Sequence, residues 1–329
     1  MRLKGASVGL YDRFNRKIDY LRISVTDRCN LRCLYCMPED GIQSKPQKDL
    51  LSYEEIQRFA EAAVEAGISK IRLTGGEPLV RKDIVSLVEM LAAIPGLNDL
   101  SLTTNGLLLP EHGEKLKQAG LQRINISIDS LDPHVYRRIT HTGSLDAALA
   151  GMKKALELGF APIKINTVLM RGVNDDPADF IRLIYEYPVH VRFIEFMPIG
   201  RWDRTLFMPV NELKAKLEGH GLMGPVDGPA GAGPAKYFNV KGTLGTVGLI
   251  SPMSNHFCGT CNRLRLTPDG KLRPCLFSDA EFDIKPALRH NVSKEEILLM
   301  IQDVLNDKPE RHKAGNAETL KRLMYQIGG

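Results

Sequence analysis

The sequence predicts an α/β protein: an incomplete (β/α)6 TIM-like barrel with a C-terminal extension closing its open side. Three observations carry this. Strand-like and helix-like segments alternate between about residue 20 and residue 198, and such alternation implies a parallel sheet with right-handed crossovers. In all six strand candidates one face is apolar and the other polar. After Pro198 the pattern breaks up. The expected division is a partial barrel over residues 1–222 and an extension over 223–329 that packs on it.

The strand candidates are 20–26, 70–74, 99–103, 123–129, 162–168 and 190–196. Helical patterns fall at 53–66, 82–93, 111–119, 145–158 and 177–187. The first helix opens with Ser52-Tyr53-Glu54-Glu55, the spacing of a capping box. Gly67, Gly120 and Gly159 stand where three helices should stop. In the first strand Leu21, Ile23 and Val25 oppose Arg22, Ser24 and Thr26. In the fourth, Ile124, Ile126 and Ile128 oppose Asn125, Ser127 and Asp129. Strands of a parallel sheet buried on both faces normally read as apolar runs. Cations on the polar face (Arg22, Arg72, Lys164 and Arg192) would be prohibitively costly to bury dry. The interior must hold water or a polar ligand. An antiparallel sheet with one wet face shows the same alternation, but helix-length segments between the strands oppose it. Beyond Pro198 come a helix at 210–218, a stretch at 223–235 that reads as a mobile loop, strands near 237–240 and 246–250, and a helix at 293–305.

The chain has 329 residues, 43% hydrophobic and 25% charged, with a net charge of +5. That excludes disorder and a disulfide scaffold. The mild positive balance permits an anionic ligand without suggesting a nucleic-acid surface. No apolar run is long enough to span a bilayer, and the first residues hold no apolar h-region. A cytoplasmic protein is expected, with neither membrane nor nucleic acid as partner.

The six cysteines form two trios: Cys29, Cys33 and Cys36, then Cys258, Cys261 and Cys275. The first is C-x3-C-x2-C directly after the first strand. Three thiolates so spaced can hold three irons of a cubane and leave the fourth open, the mark of a reactive metal site. A zinc site completed by a distant histidine is the alternative. In the second trio, Thr267-Pro268-Asp269-Gly270 signals a hairpin that folds Cys275 back toward Cys258 and Cys261. His256 could complete a zinc site there, although a packing role is the default for one histidine. Arg263 and Arg265, two apart, project from one strand face beside this trio.

The run Tyr20 to Pro38 through the first trio, with Thr74-Gly75-Gly76-Glu77-Pro78 one strand later, resembles the radical S-adenosylmethionine enzymes. The resemblance implies a [4Fe-4S] cluster on Cys29, Cys33 and Cys36. S-adenosylmethionine on its open iron is cleaved by one electron to a 5′-deoxyadenosyl radical. The segments Arg192-Phe193-Ile194-Glu195-Phe196-Met197 and Phe257 to Arg265, with the final Gly328-Gly329, narrow it. Nearly the whole chain from about residue 10 is similar to the GTP 3′,8-cyclases of molybdenum cofactor biosynthesis. That family forms (8S)-3′,8-cyclo-7,8-dihydroguanosine 5′-triphosphate from GTP.

The resemblance implies two [4Fe-4S] clusters, the second on Cys258, Cys261 and Cys275 with an open iron for the purine edge. It carries S-adenosylmethionine contacts onto Tyr35, Gly76, Ser127 and Met197. GTP contacts fall on Arg22, Arg72, Thr103, Lys164, Arg263, Leu264 and Arg265, with Arg192 beside them. Cys29, Cys33, Cys36, Arg263 and Arg265 are the catalytic candidates. An external one-electron donor and a hand-off to cyclic pyranopterin monophosphate synthase are implied partners. A homodimer is admitted but not indicated. The Gly-Gly tail either frays or threads into the site. Two readings compete: a two-cluster radical enzyme modifying a peptide, and a zinc module binding RNA.

Overall fold

The computed structural model describes residues 9–231, 233–314 and 320–328. Six strands appear where the alternation placed them: β1 (Tyr20–Ser24), β2 (Lys70–Thr74), β3 (Asp99–Thr104), β4 (Arg123–Ser127), β5 (Ile163–Leu169) and β6 (Val189–Glu195). The helices between them are α1 (Tyr53–Glu65), α2 (Ile84–Ala92), α3 (Leu109–Gln118), α4 (Pro133–Thr140), α5 (Leu145–Glu157) and α6 (Ala178–Glu186). Neighbouring strands from β1 to β6 pair in parallel. The capping box of α1 forms: Glu55 N–H donates to Ser52 Oγ (3.2 Å), and Ser52 N–H to the Glu55 carboxylate (2.7 Å). Gly67, Gly120 and Gly159 have φ of +117°, +95° and +68°, the left-handed stops expected of helix ends.

Beyond β6 the chain forms α7 (Val210–Glu218), β7 (Leu222–Val226), β8 (Lys236–Val240), β9 (Thr246–Ile250), β10 (Arg263–Leu266), β11 (Lys271–Arg273) and β12 (Phe282–Asp283). Three helices follow: α8 (Lys285–Arg289), α9 (Lys294–Asn306) and α10 (Met324–Ile327). β9 pairs in parallel with β6, and β10 in parallel with β1. One sheet results, in the order β12-β11-β10-β1-β2-β3-β4-β5-β6-β9-β8-β7. It does not close on itself. The extension instead widens the barrel at both edges.

Two local expectations need correction. The stretch 223–235 is not all loop, because β7 pairs antiparallel with β8 despite Gly224 and Pro225, with a register shift between Leu222 and Pro225. Proline is tolerated there because β7 is an edge strand. Helix α4 had no counterpart in the sequence reading. Its cues were the Asp132 carboxylate, which accepts from Val135 N–H at 2.8 Å, and Pro133 at the first turn.

The apolar strand faces and the helices form one continuous core, including Leu21, Ile23, Ile71, Ile124, Ile163 and Val191. The opposite face is polar yet also withdrawn from water: Arg72, Ser101, Asn125, Lys164 and Arg192 are each at most 3% exposed. Registry sets these side chains abreast: Arg265 beside Arg22, Arg22 beside Arg72, Asn125 beside Lys164, and Asn166 beside Arg192.

Candidate active site

Beyond β1 the chain enters the loop carrying the first trio. Arg32 N–H donates to the Thr140 carbonyl (3.0 Å) and Leu34 N–H to that of Ile139 (2.9 Å), so the end of α4 holds it. Within it Leu31 N–H donates to Cys29 Sγ at 3.3 Å. The Gly75-Gly76 turn docks on this loop: Gly76 N–H donates to the Thr26 carbonyl (2.7 Å) and Glu77 N–H to that of Arg28 (2.8 Å). A Cβ on Gly76 would overlap the Arg28 carbonyl oxygen. The glycine is required by contact between two pieces of this backbone.

Burial pushes the Cys29 thiol up to about 11 and that of Cys36 up to about 12. Burial and then Asp129 push Cys33 well above its ordinary value. The carboxylates nearby are themselves enclosed. Glu77 accepts from Thr104 Oγ1 and Asn105 N–H, both at 2.7 Å, and burial raises it to about 7. Asp129 accepts from the Tyr35 hydroxyl at 2.7 Å, and burial raises it to about 6. The three thiols are half-buried and close enough to act on one another, a donor set fitted to an iron–sulfur cluster.

Inside the curve of the sheet lies a cavity. The second trio lines it: Cys258, Cys261 and Cys275, with Arg263 and Arg265. The hairpin folds as its Asp-Gly turn requires, with Arg265 opposite Arg273 and Gly270 at φ +80°. Burial raises the Cys261 thiol, but Arg263 and Lys308 outweigh it and hold the group down at about 6. From the barrel, Arg22, Arg72, Thr103, Asn166 and Arg192 face the same space. None of its described lining residues is acidic.

These cations are short of partners. Burial brings Arg72 down to about 9; Tyr20 offsets part of this, while Arg22, Arg192 and Arg123 add repulsion. Lys164 falls to about 7, first through burial and then through Arg192, Arg123 and Arg72. Among the described residues Arg22 Nε is buried without a hydrogen-bond partner. Arg192 donates to Asn166 Oδ1 at 2.8 Å and Asn125 Oδ1 at 2.9 Å, and the Tyr237 hydroxyl bonds it as well; none of these is a carboxylate. Like charges so crowded create a site for a polyanion.

Residues 23–184 match the Radical SAM superfamily, and residues 189–314 match Molybdenum Cofactor Synthesis C. The GTP 3′,8-cyclase of Syntrophomonas wolfei is 49% identical over 326 residues, covering 97% of this chain and 100% of that protein. That of Moorella thermoacetica is 50% identical over 323 residues, with the same coverage. The chain belongs to the GTP 3′,8-cyclase family. Among solved structures, Streptococcus suis SuiB bound to precursor peptide SuiA aligns at a TM-score of 0.64 and 15% identity, covering 93% of this chain and 70% of that one. Native anSMEcpe with bound AdoMet aligns at 0.55 and 14%, covering 84% of this chain and 82% of that one. At such identities the likeness is one of fold.

The cyclase-family chain gathers most of the residues singled out in its sequence around one space, with several differences. Met197 lines the cavity, whereas Tyr35, Gly76, Ser127, Lys164 and the first trio do not. Lys164 Nζ instead donates to the Ala230 carbonyl at 2.7 Å, where the Gly- and Ala-rich loop folds inward. Leu264 turns its side chain into the apolar core, as alternation between Arg263 and Arg265 demands, so it offers substrate no side-chain contact. The first trio lies behind α10: the Tyr325 N–H bonds Cys36, while neighbouring Met324 lines the cavity. Gly328 accepts from Arg265 Nη1 at 3.1 Å, and Gly329 lies outside the described residues. His256 Nδ1 lies 2.7 Å from the Pro252 carbonyl and 3.0 Å from His312 Nε2. Among the described residues no group of three His, Cys, Asp or Glu is gathered as a single metal ion requires.

Sequence reasoning missed Asn166 and His312 on the cavity wall. Asn166 carried a signal, since it stands two residues from Lys164 on the polar face of β5. His312 carried none. It comes to the wall from the segment after α9, where its ring packs on Phe277 at 4.3 Å between centroids.

Proposed function

We propose that this chain cyclises GTP to (8S)-3′,8-cyclo-7,8-dihydroguanosine 5′-triphosphate, the first step of molybdenum cofactor biosynthesis. It works with S-adenosylmethionine and two [4Fe-4S] clusters. One observation carries the substrate: Arg72, Arg192 and Arg265, buried cations from three strands, face a cavity whose described lining contains no acidic residue. A triphosphate supplies the anions that Arg22, Arg72, Lys164, Arg192 and Arg265 lack. A peptide has no such need.

Cys29, Cys33 and Cys36 hold the first cluster; Cys258, Cys261 and Cys275 hold the second. Tyr35, Gly76, Ser127 and Met197 surround S-adenosylmethionine, and Thr103 and Arg263 complete the nucleotide contacts. When bound, the first cluster with S-adenosylmethionine supplies the one-electron chemistry that removes the ribose 3′ hydrogen, so that C3′ bonds guanine C8. The residues of this chain bind, orient and exclude water. The arginines clamp the phosphates in two-pronged fashion and fix the ribose in the cavity. The sheet and extension keep bulk water from a reactive carbon. Residues 1–222 form the radical barrel and 223–329 the extension that carries the second cluster. An external donor delivers the electron, and the product passes to cyclic pyranopterin monophosphate synthase in the cytoplasm. No described helix is long and apolar enough to cross a membrane.

The test is an anaerobic assay of the reconstituted protein with dithionite, S-adenosylmethionine and GTP. Equal yields of 5′-deoxyadenosine and cyclic nucleotide are expected. Cleavage of S-adenosylmethionine that ignores GTP, with no cyclic product, would refute the reading.

A further inference from the structure

The second trio has a buried cation behind it that the reaction does not use. Lys308 follows α9 and is 2% exposed, among the largest fully enclosed side chains of the molecule. Its Nζ donates to the Arg263 carbonyl at 2.8 Å and to the Pro274 carbonyl at 2.6 Å. The first acceptor lies two residues after Cys261, and the second immediately precedes Cys275. One ammonium therefore ties together the two arms of the hairpin that bear these cysteines. β10 and β11 pair at Arg265–Arg273 and Leu266–Leu272, so Lys308 joins the arms beyond the paired residues. Burying an ammonium this deeply is costly unless its hydrogen bonds and a counter-charge offset it. Backbone carbonyls meet the first need; a metal-liganded trio would meet the second.

We propose that Lys308 is a positioning residue for the second cluster, fixing the separation of Cys261 from Cys275 and balancing the negative charge of the liganded trio. This rests on the reading that the trio holds a cluster. Partners one shell beyond a metal's ligands commonly change metal affinity by roughly 10–100-fold. Lys308 touches neither the cavity nor the first trio, so its effect should stay with the second cluster.

The experiment compares the reconstituted wild-type enzyme with Lys308→Met, which removes charge and donor, and Lys308→Gln, which keeps a donor without charge. Iron content, the paramagnetic resonance of each reduced cluster and its reduction potential are read, with GTP-independent cleavage of S-adenosylmethionine as the control for the first cluster. Lys308→Met is expected to release iron from the second cluster to a chelator roughly 10–100-fold faster, while the first cluster's spectrum and the control cleavage persist. In Lys308→Gln the second cluster is retained better than in Lys308→Met, and its potential moves to more negative values because a positive charge is gone. Wild-type iron retention and an unshifted second potential in both variants would overturn the proposal. Equal loss of both clusters would overturn it too, by showing a general folding role. A wild-type enzyme with only one cluster would overturn the functional reading itself.

Discussion

The two cysteine trios are both enclosed, but their charged surroundings differ in sign. Beside Cys29, Cys33 and Cys36 stand Glu77 and Asp129, and the thiols are pushed up. Arg32 is the cation nearby, and its guanidinium is turned to the Cys29 and Leu31 carbonyls at 2.7 and 2.9 Å. Beside Cys261 and Cys275 stand Arg263, Arg265 and Lys308; Cys261 is held down, whereas burial still raises Cys275. The contrast sorts ligands by charge. An anionic pocket suits a sulfonium with its ammonium group, whereas a cationic one suits a triphosphate. Under the proposed function, two clusters of the same type would serve different molecules.

Four outcomes would sharpen or break this contrast. Cys33→Ser should reduce 5′-deoxyadenosine to background, measured chromatographically, while Cys261→Ser should lose cyclic nucleotide and keep most dithionite-driven cleavage. The same loss in both would erase the distinction between the trios. Arg72→Ala should weaken GTP binding by roughly tenfold to a hundredfold, the worth of a charged hydrogen bond, with S-adenosylmethionine affinity unchanged by calorimetry. Gly76→Ala forces a side chain into the Arg28 carbonyl and should destabilise the fold by about 1–3 kcal/mol in denaturant titration. Its spectroscopic damage should fall on the first cluster alone.

The smallest effect concerns protons. Lys164 is held down at about 7, so at pH 8 it is largely neutral in the free protein. A bound triphosphate restores its charge and raises that value. GTP binding at pH 8 should therefore take up a proton, up to about one per nucleotide, seen as heats that vary with the buffer's ionisation enthalpy. At pH 6 the lysine already carries its proton and the uptake should vanish. Lys164→Met should abolish it at both pH values.

Much of this was legible in the sequence for specific reasons. The polar strand faces are local patterns, and any sheet built from them must turn Arg72 and Arg192 one way and Ile71 and Val191 the other. The cysteine spacings, the Ser52 cap and the Asp269-Gly270 turn are equally local. Less legible were features made by pairing at a distance. β9 and β10 look like strands anywhere, and only packing made them the parallel neighbours of β6 and β1. Helix α4 was short and polar enough to hide, and β7 was masked by its Gly and Pro.

The chain alone determined the alternating sheet, the two thiol trios and the inward cations, because each is written in residue types at fixed short spacings. Tertiary structure decided what stands opposite what. Lys308 lies between Arg263 and Pro274, Arg265 meets Gly328, and Leu264 leaves the cavity to its neighbours. Those contacts join residues far apart along the backbone, and no local periodicity encodes a distance that only closure of the chain creates.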